Sequence, residues 1–280
     1  MSDKLFISAL KLLPKNAWSR FIGKVAHAPI PGPLARASIR WFASKYDVNV
    51  AEAELPIEEY RSAGDFFTRR LKTGARVVDR RPGVCVSPAD GHVLNSGRIT
   101  SGKIIQAKGK DFSVADLLKD KQEAERYVSG SWLTVYLSPR DYHRVHHPVE
   151  GRLACSDYVP GYLWPVNRAA VDNVDELFCV NERVITYVDS PVGRVATIMV
   201  GATSVGHITM AYDDQVSSNQ GAPAAKRVYP EPIQVARGDE LGTFHLGSTA
   251  IVLFENPALQ LLPLSDGQPI TLGEPIAKLD

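Results

Sequence analysis

The stretch that most constrains the fold is Ser248-Thr249-Ala250-Ile251-Val252-Leu253-Phe254, which follows His245-Leu246-Gly247. It is an uncharged, strongly β-forming run entered through a flexible glycine and a hydroxyl residue. Such a run reads as a strand that starts after a tight Gly-Ser turn. The same bond also carries possible chemistry. The Ser248 hydroxyl stands next to the Gly247 carbonyl and can attack it if a base and an orienting acid are supplied from elsewhere. Gly247-Ser248 is thus a candidate self-cleavage bond.

Short strands separated by Gly/Pro turns recur through the rest of the chain, so the core is expected to be mainly β. Residues 84–93 read as strand, turn, strand, with Pro88-Ala89-Asp90-Gly91 as the turn. Residues 104–106, 132–137, 195–200 and 204–210 read as further extended segments, with 132–137 alternating like a half-buried strand. Residues 56–60 and 111–118 suggest short helices. Residues 214–226 are polar and read as a loop, and 238–242 as a hairpin turn leading to Phe244. No internal repeat, phosphate-binding glycine loop or Gly-x-Ser-x-Gly elbow is present. The class is α+β: N-terminal amphipathic helices followed by a mainly antiparallel β core.

Net charge matters through its distribution. Residues 1–45 hold eight Lys/Arg and one acid, a net of +7, while the remainder is −6. Three short helical patterns in this arm are separated by Pro14 and by Pro29-Ile30-Pro31-Gly32-Pro33: Leu5 to Leu13, Trp18/Phe21/Ile22/Val25 on one face, and Leu34/Ile39/Trp41/Phe42. No run reaches the ~20 apolar residues of a spanning helix, and Lys11 and Lys15 interrupt what a signal peptide would need. Cations alternating with large apolar residues fit interfacial helices on an anionic membrane better than nucleic acid. Residues 1–50 are therefore expected to form a membrane-associating arm and 51–280 a β-rich domain. Cys85, Cys155 and Cys179 are odd in number and widely spaced, which fits a reducing, cytosol-facing location.

Three of the seven histidines, His143, His146 and His147, fall within five residues. No Cys or well-spaced acid accompanies them, which argues against a metal site. Ser138-Pro139-Arg140-Asp141 resembles a helix start, and a single turn would carry the chain through Tyr142 and His143. His143 and His146 are three residues apart. On one regular strand they would face opposite sides, whereas at a turn both could reach one pocket. One imidazole could serve as base for Ser248 and another as a later proton donor.

Several motifs, taken in register, carry a resemblance. Phe66-Phe67-Thr68-Arg69, Pro88-Ala89-Asp90-Gly91, Asp141-Tyr142-His143-Arg144-Val145-His146-x-Pro148, Tyr158-Val159-Pro160-Gly161, Asn181-Glu182-Arg183 and Leu246-Gly247-Ser248-Thr249 resemble the prokaryotic phosphatidylserine decarboxylases. The resemblance runs from about residue 56 to the C-terminus, and the basic helical arm fits it. His147 departs from it, standing where an apolar residue is expected; the spacing favours His146 over His147.

The resemblance implies a pyruvoyl-dependent enzyme, with neither pyridoxal phosphate nor a metal. His146, oriented by Asp90, would take the Ser248 proton, and the alkoxide would attack the Gly247 carbonyl to give an ester. Elimination then frees Gly247 as a C-terminus, and addition of water with loss of ammonia leaves a pyruvoyl group at 248. The products are a β chain, 1–247, and an α chain, 248–280, associated as a heterodimer with room for a higher oligomer. The pyruvoyl carbonyl would form a Schiff base with the amine of phosphatidylserine in the membrane, and His143 would protonate the carbanion left by carbon dioxide. The expected location is peripheral, on the cytoplasmic face of the cell membrane, with no nucleic-acid partner. Two other functions compete on the residues alone: a Ser248-His146-Asp90 hydrolase acting on an external substrate, and a non-enzymatic lipid-surface binding module.

Overall fold

The computed structural model describes residues 15–107, 109–203, 207–218, 222–245 and 248–279. In chain order the elements are α1 (Lys15–His27), α2 (Gly32–Tyr46), α3 (Ala63–Phe67), β1 (Val84–Val86), β2 (Gly91–Arg98), β3 (Lys103–Ala107), β4 (Lys110–Ser113), α4 (Val114–Leu118), α5 (Lys121–Glu125), β5 (Ser131–Leu137), β6 (Arg144–His146) and β7 (Gly151–Val159). There follow α6 (Arg168–Asn173), α7 (Leu177–Val180), β8 (Arg183–Ser190), β9 (Gly193–Gly201), β10 (Ile208–Met210), β11 (Ala225–Val235), β12 (Glu240–Phe244), β13 (Ser248–Phe254), β14 (Gln260–Leu261), β15 (Pro269–Ile270) and β16 (Pro275–Lys278). The α+β class expected from the sequence is what the chain adopts.

The apolar run 248–254 is the interior strand around which the main sheet is built. That sheet is eight-stranded and antiparallel, in the order β11-β7-β8-β9-β13-β5-β2-β15. Every residue of β13 is buried. Ile251 and Leu253 enter the core cluster on one face, and Ala250, Val252 and Phe254 enter the cluster on the other. This period of two is why an uninterrupted apolar run can serve a strand covered on both sides. Ser248 opens the strand, paired with Leu137 of β5 and Gly201 of β9. Smaller sheets flank this one: β10-β12-β6, β1-β16-β14 and the β3-β4 hairpin.

Several expectations change. Residues 132–137 are not half-buried: six of the seven residues of β5 are buried, because core clusters cover both faces of the sheet. In 56–60 only Ile57–Glu59 forms a turn, of the 3-10 kind, and Tyr60 leaves it extended to pack edge-on against Phe66. In 111–118 the first residues belong to β4; Ser113 then caps the helix by accepting the Asp116 amide. No helical turn follows Ser138. The Asp141 carboxylate accepts from both the amide and the hydroxyl of Ser138 at 2.7 Å, which closes a tight turn and releases the chain into β6. The loop at 214–226 gives way at Ala225 to β11, which pairs with Tyr158 of β7. The 238–242 turn does deliver Phe244, but β12 pairs with β6 and β10, so it does not fold back as a hairpin on β11.

Of the arm, the Leu5–Leu13 pattern lies outside the described residues. α1 and α2 form where expected. α2 begins with Pro33 in its first turn and ends at Asp47 in the left-handed region. Its Ile39 and Ala43 pack with Tyr60 and Phe66 in a small core of their own. The opposite side is bare: Trp18, Phe21 and Val25 of α1 and Leu34 and Trp41 of α2 are all at least half exposed. No described helix is long and apolar enough to cross a membrane.

Candidate active site

The site is built on the opening of β13. The Ser248 side chain is fully buried, and its hydroxyl has no hydrogen-bond partner. It faces an apolar cleft of about 280 Å³ whose walls include Phe42 and Tyr46 of α2, Phe67 of α3 and Tyr136 of β5. An arm helix thus forms one side of the cleft that holds the serine. The neighbouring Thr249 hydroxyl is likewise buried without a partner. Buried polar groups are rarely left unpaired, so two in succession at a strand opening mark a place where structure is subordinate to chemistry.

The Ser138–Asp141 turn and β6 present the histidines. His143 is completely buried, with its ring 4.0 Å from that of Phe67, a residue of the cleft wall. Its Nδ1 donates to the Asp141 carbonyl at 2.8 Å, so Nε2 carries the lone pair, and that atom has no partner. Burial pushes its pKa down to about 3. His146 is occupied at both ring nitrogens: Nδ1 meets the Gly238 carbonyl at 2.9 Å, and Nε2 meets the Tyr142 hydroxyl at 3.2 Å. Burial lowers its pKa too, against the opposing hydrogen bond to Gly238 and the charges of Glu240 and Asp90. His147 is buried, its Nδ1 unpartnered and its pKa pushed down to about 4.

Asp90 ends the tight turn before β2. Gly91 permits this placement, because a Cβ there would lie 2.3 Å from the Tyr136 carbonyl oxygen. Arg76 binds Asp90 through Nε at 2.9 and 3.0 Å, and the Leu272 amide donates at 2.8 Å. Arg76 also reaches Glu52. The two expected partners therefore share a neighbourhood, since the His146 amide donates to the Pro88 carbonyl, but no hydrogen bond joins Asp90 to His146. Nor does one join Ser248 to any histidine. Among the described residues no group of three His, Cys, Asp or Glu side chains forms a cation site.

Sequence reasoning missed Arg76, Tyr142 and the two arm aromatics in the cleft wall. Tyr142 lies inside the histidine motif and could have been singled out there. Arg76, Phe42 and Tyr46 reach the site only through tertiary contacts, and nothing local marks them.

Comparisons with known proteins place the chain in a family. The family model described as phosphatidylserine decarboxylase matches residues 63–278, and a second, described as PSD, matches residues 5–47. The phosphatidylserine decarboxylase proenzyme of Myxococcus xanthus is 45% identical over 255 residues, 91% of each chain. The proenzyme of Anaeromyxobacter sp. is 43% identical over 279 residues, and that of Brevibacillus brevis 40% over 281, each covering 99% of both chains. This chain belongs to the phosphatidylserine decarboxylase family, carboxy-lyases that convert phosphatidylserine to phosphatidylethanolamine.

Proposed function

We propose that the chain is made as a proenzyme, cuts itself at Gly247-Ser248, and decarboxylates phosphatidylserine with a pyruvoyl group derived from Ser248. The observation that carries this reading is the buried, partnerless Ser248 hydroxyl in the wall of an apolar cleft. A pyruvoyl group fits the position, because conversion removes that orphaned hydroxyl. When formed, the group supplies an electrophilic carbonyl and an electron sink that no side chain offers.

In maturation His146 is the base for Ser248, and Asp90 favours its charged form. For this His146 must exchange the Tyr142 hydroxyl for that of Ser248. A second reading has one specific observation in its favour: the His143 ring, whose Nε2 is bare, packs on Phe67, which lines the same cleft as Ser248, so His143 could be the maturation base. In decarboxylation His143, neutral through burial, accepts the proton the headgroup ammonium must lose before its nitrogen can attack. It then returns a proton to the carbon that has lost carbon dioxide.

The cut leaves β13 intact, since that strand begins at Ser248 and is paired on both sides. The small chain therefore stays in the sheet as the centre of a heterodimer with the large chain. The exposed aromatic side of α1 and α2, with its cations, rests on the cytoplasmic face of the membrane and brings the cleft beside Phe42 and Tyr46 to the lipid.

A denaturing gel of purified protein should show chains 1–247 and 248–280, and mass spectrometry should find the small chain blocked at its N-terminus. A free serine amine there would mean simple hydrolysis and remove the pyruvoyl group from the mechanism. An intact chain that reacts with serine-directed reagents would instead favour the hydrolase.

A further inference from the structure

Arg69 is the least explained charged group near the site. It follows α3, and its side chain is 4% exposed. Among the described residues it makes no salt bridge within 4 Å, although Asp90, Glu52 and Asp141 all border the small cleft that it lines. Nη2 donates to the Arg140 carbonyl at 3.1 Å and more loosely to that of Asp141 at 3.4 Å. Nε and Nη1 are buried with no partner. A guanidinium withdrawn from water and left without a counter-ion is unfavourable as scaffolding.

The group it serves is identified by a shared acceptor. The Asp141 carbonyl that takes Arg69 Nη2 is the same one that takes His143 Nδ1. That second bond selects the tautomer with a bare Nε2. Phe66, across whose ring the Arg69 guanidinium lies at 5.1 Å, and Phe67, which packs on His143, are consecutive residues of α3. Arg69 and His143 are therefore held by one turn and one helix.

We propose that Arg69 is a positioning residue for His143: by binding the carbonyls of Arg140 and Asp141 it holds the turn whose Asp141 carbonyl fixes the His143 tautomer. Around His143, its own turn supplies the Asp141 carboxylate, which is spent on the amide and hydroxyl of Ser138, and the exposed Arg140. From β6 come His146 and Arg144, and from β12 comes Glu240, which is paired with Arg144 at 2.6 Å; the β12 residue bonded to His143 itself is Phe244, through its amide. The Arg69 charge adds to burial in depressing the His143 pKa.

The inference rests on reading His143 as the proton carrier of decarboxylation. Its test uses full-length, fully cleaved enzyme with Arg69→Gln and Arg69→Lys, phosphatidylserine in mixed micelles, and histidine-labelled NMR. In Arg69→Gln the His143 ring should titrate at higher pH and lose its single-tautomer signature. The acid limb of kcat should move to higher pH, and kcat should fall tenfold or more with KM little changed. Arg69→Lys, which keeps the charge, should restore the acid limb. The inference is overturned if both variants leave the His143 titration, its tautomer and the pH profile at parent values. It is equally overturned if the only change is a rise in KM, which would make Arg69 a lipid-anion contact. Cleaved His143→Ala separates this from the parent reading: if it turns over normally His143 is no proton carrier, whatever Arg69 does to the ring.

Discussion

At the residue scale, the proposed mechanism makes two chemical demands at different times and assigns them to different histidines. Maturation needs a base for a hydroxyl, whereas decarboxylation needs a proton carrier after that hydroxyl is gone. His146→Ala and Asp90→Ala are expected to accumulate as uncleaved precursor. His143→Ala should still cleave, yet its cleaved fraction should release carbon dioxide about 10²–10⁴-fold more slowly, the usual contribution of a general acid–base group. Were His143→Ala to stall uncleaved while His146→Ala matured, the base would be His143, as its bare Nε2 allows. If His147→Ala alone blocks cleavage, the neighbour with the other unpartnered nitrogen is the base.

At the element scale, α1 and α2 each divide into a docked side and a bare side. Ala35, Ile39 and Ala43 face the protein, while Trp18, Phe21, Leu34 and Trp41 face outward. A protein surface rarely carries so many large apolar groups within so few residues unless something covers them. Replacing Trp18 and Trp41 by Ser should weaken sedimentation with anionic vesicles by on the order of tenfold per residue, since burying a large apolar side chain is worth roughly 1.5–3 kcal/mol. Unchanged vesicle partitioning of the double variant would show that this side is not the lipid contact. The cations on the same helices predict that high salt releases part of the bound protein, because screening weakens only the electrostatic component. Complete resistance to salt and to alkaline carbonate would indicate an integral segment instead.

For the whole molecule, the buried histidines set a pH dependence. His143 and His147 titrate near 3 and 4 in the folded chain, through burial, against about 6.5 when unfolded. Between these values the unfolded chain binds more protons than the folded one. Their contribution to stability is therefore complete above about pH 6.5 and is lost as pH falls toward 4. The slope approaches about 1.4 kcal/mol per pH unit for each histidine. Thermal unfolding should occur at a clearly lower temperature at pH 5 than at pH 7, and His147→Leu should flatten the dependence. A melting temperature equal at the two pH values would contradict the buried, neutral state of these rings.

The sequence by itself determined the parts of this protein that depend on local pattern. The run 248–254 reads as a strand, residues 15–46 read as short amphipathic helices, and the motifs around Asp90, His143, His146 and Ser248 marked the family. The tertiary structure decided what those residues touch. That 132–137 is covered on both faces depends on the core clusters packed on the two sides of the sheet, and alternation within one strand cannot report this. That Asp90 is held by Arg76 rather than by His146 depends on side chains fourteen residues apart meeting at a turn. That Phe42 and Tyr46 border the serine depends on how the arm docks. Local pattern follows from the period of the backbone and is written in neighbouring residues. Pairing and burial of charged groups follow from long-range packing, in which each contact is fixed only once the others are in place.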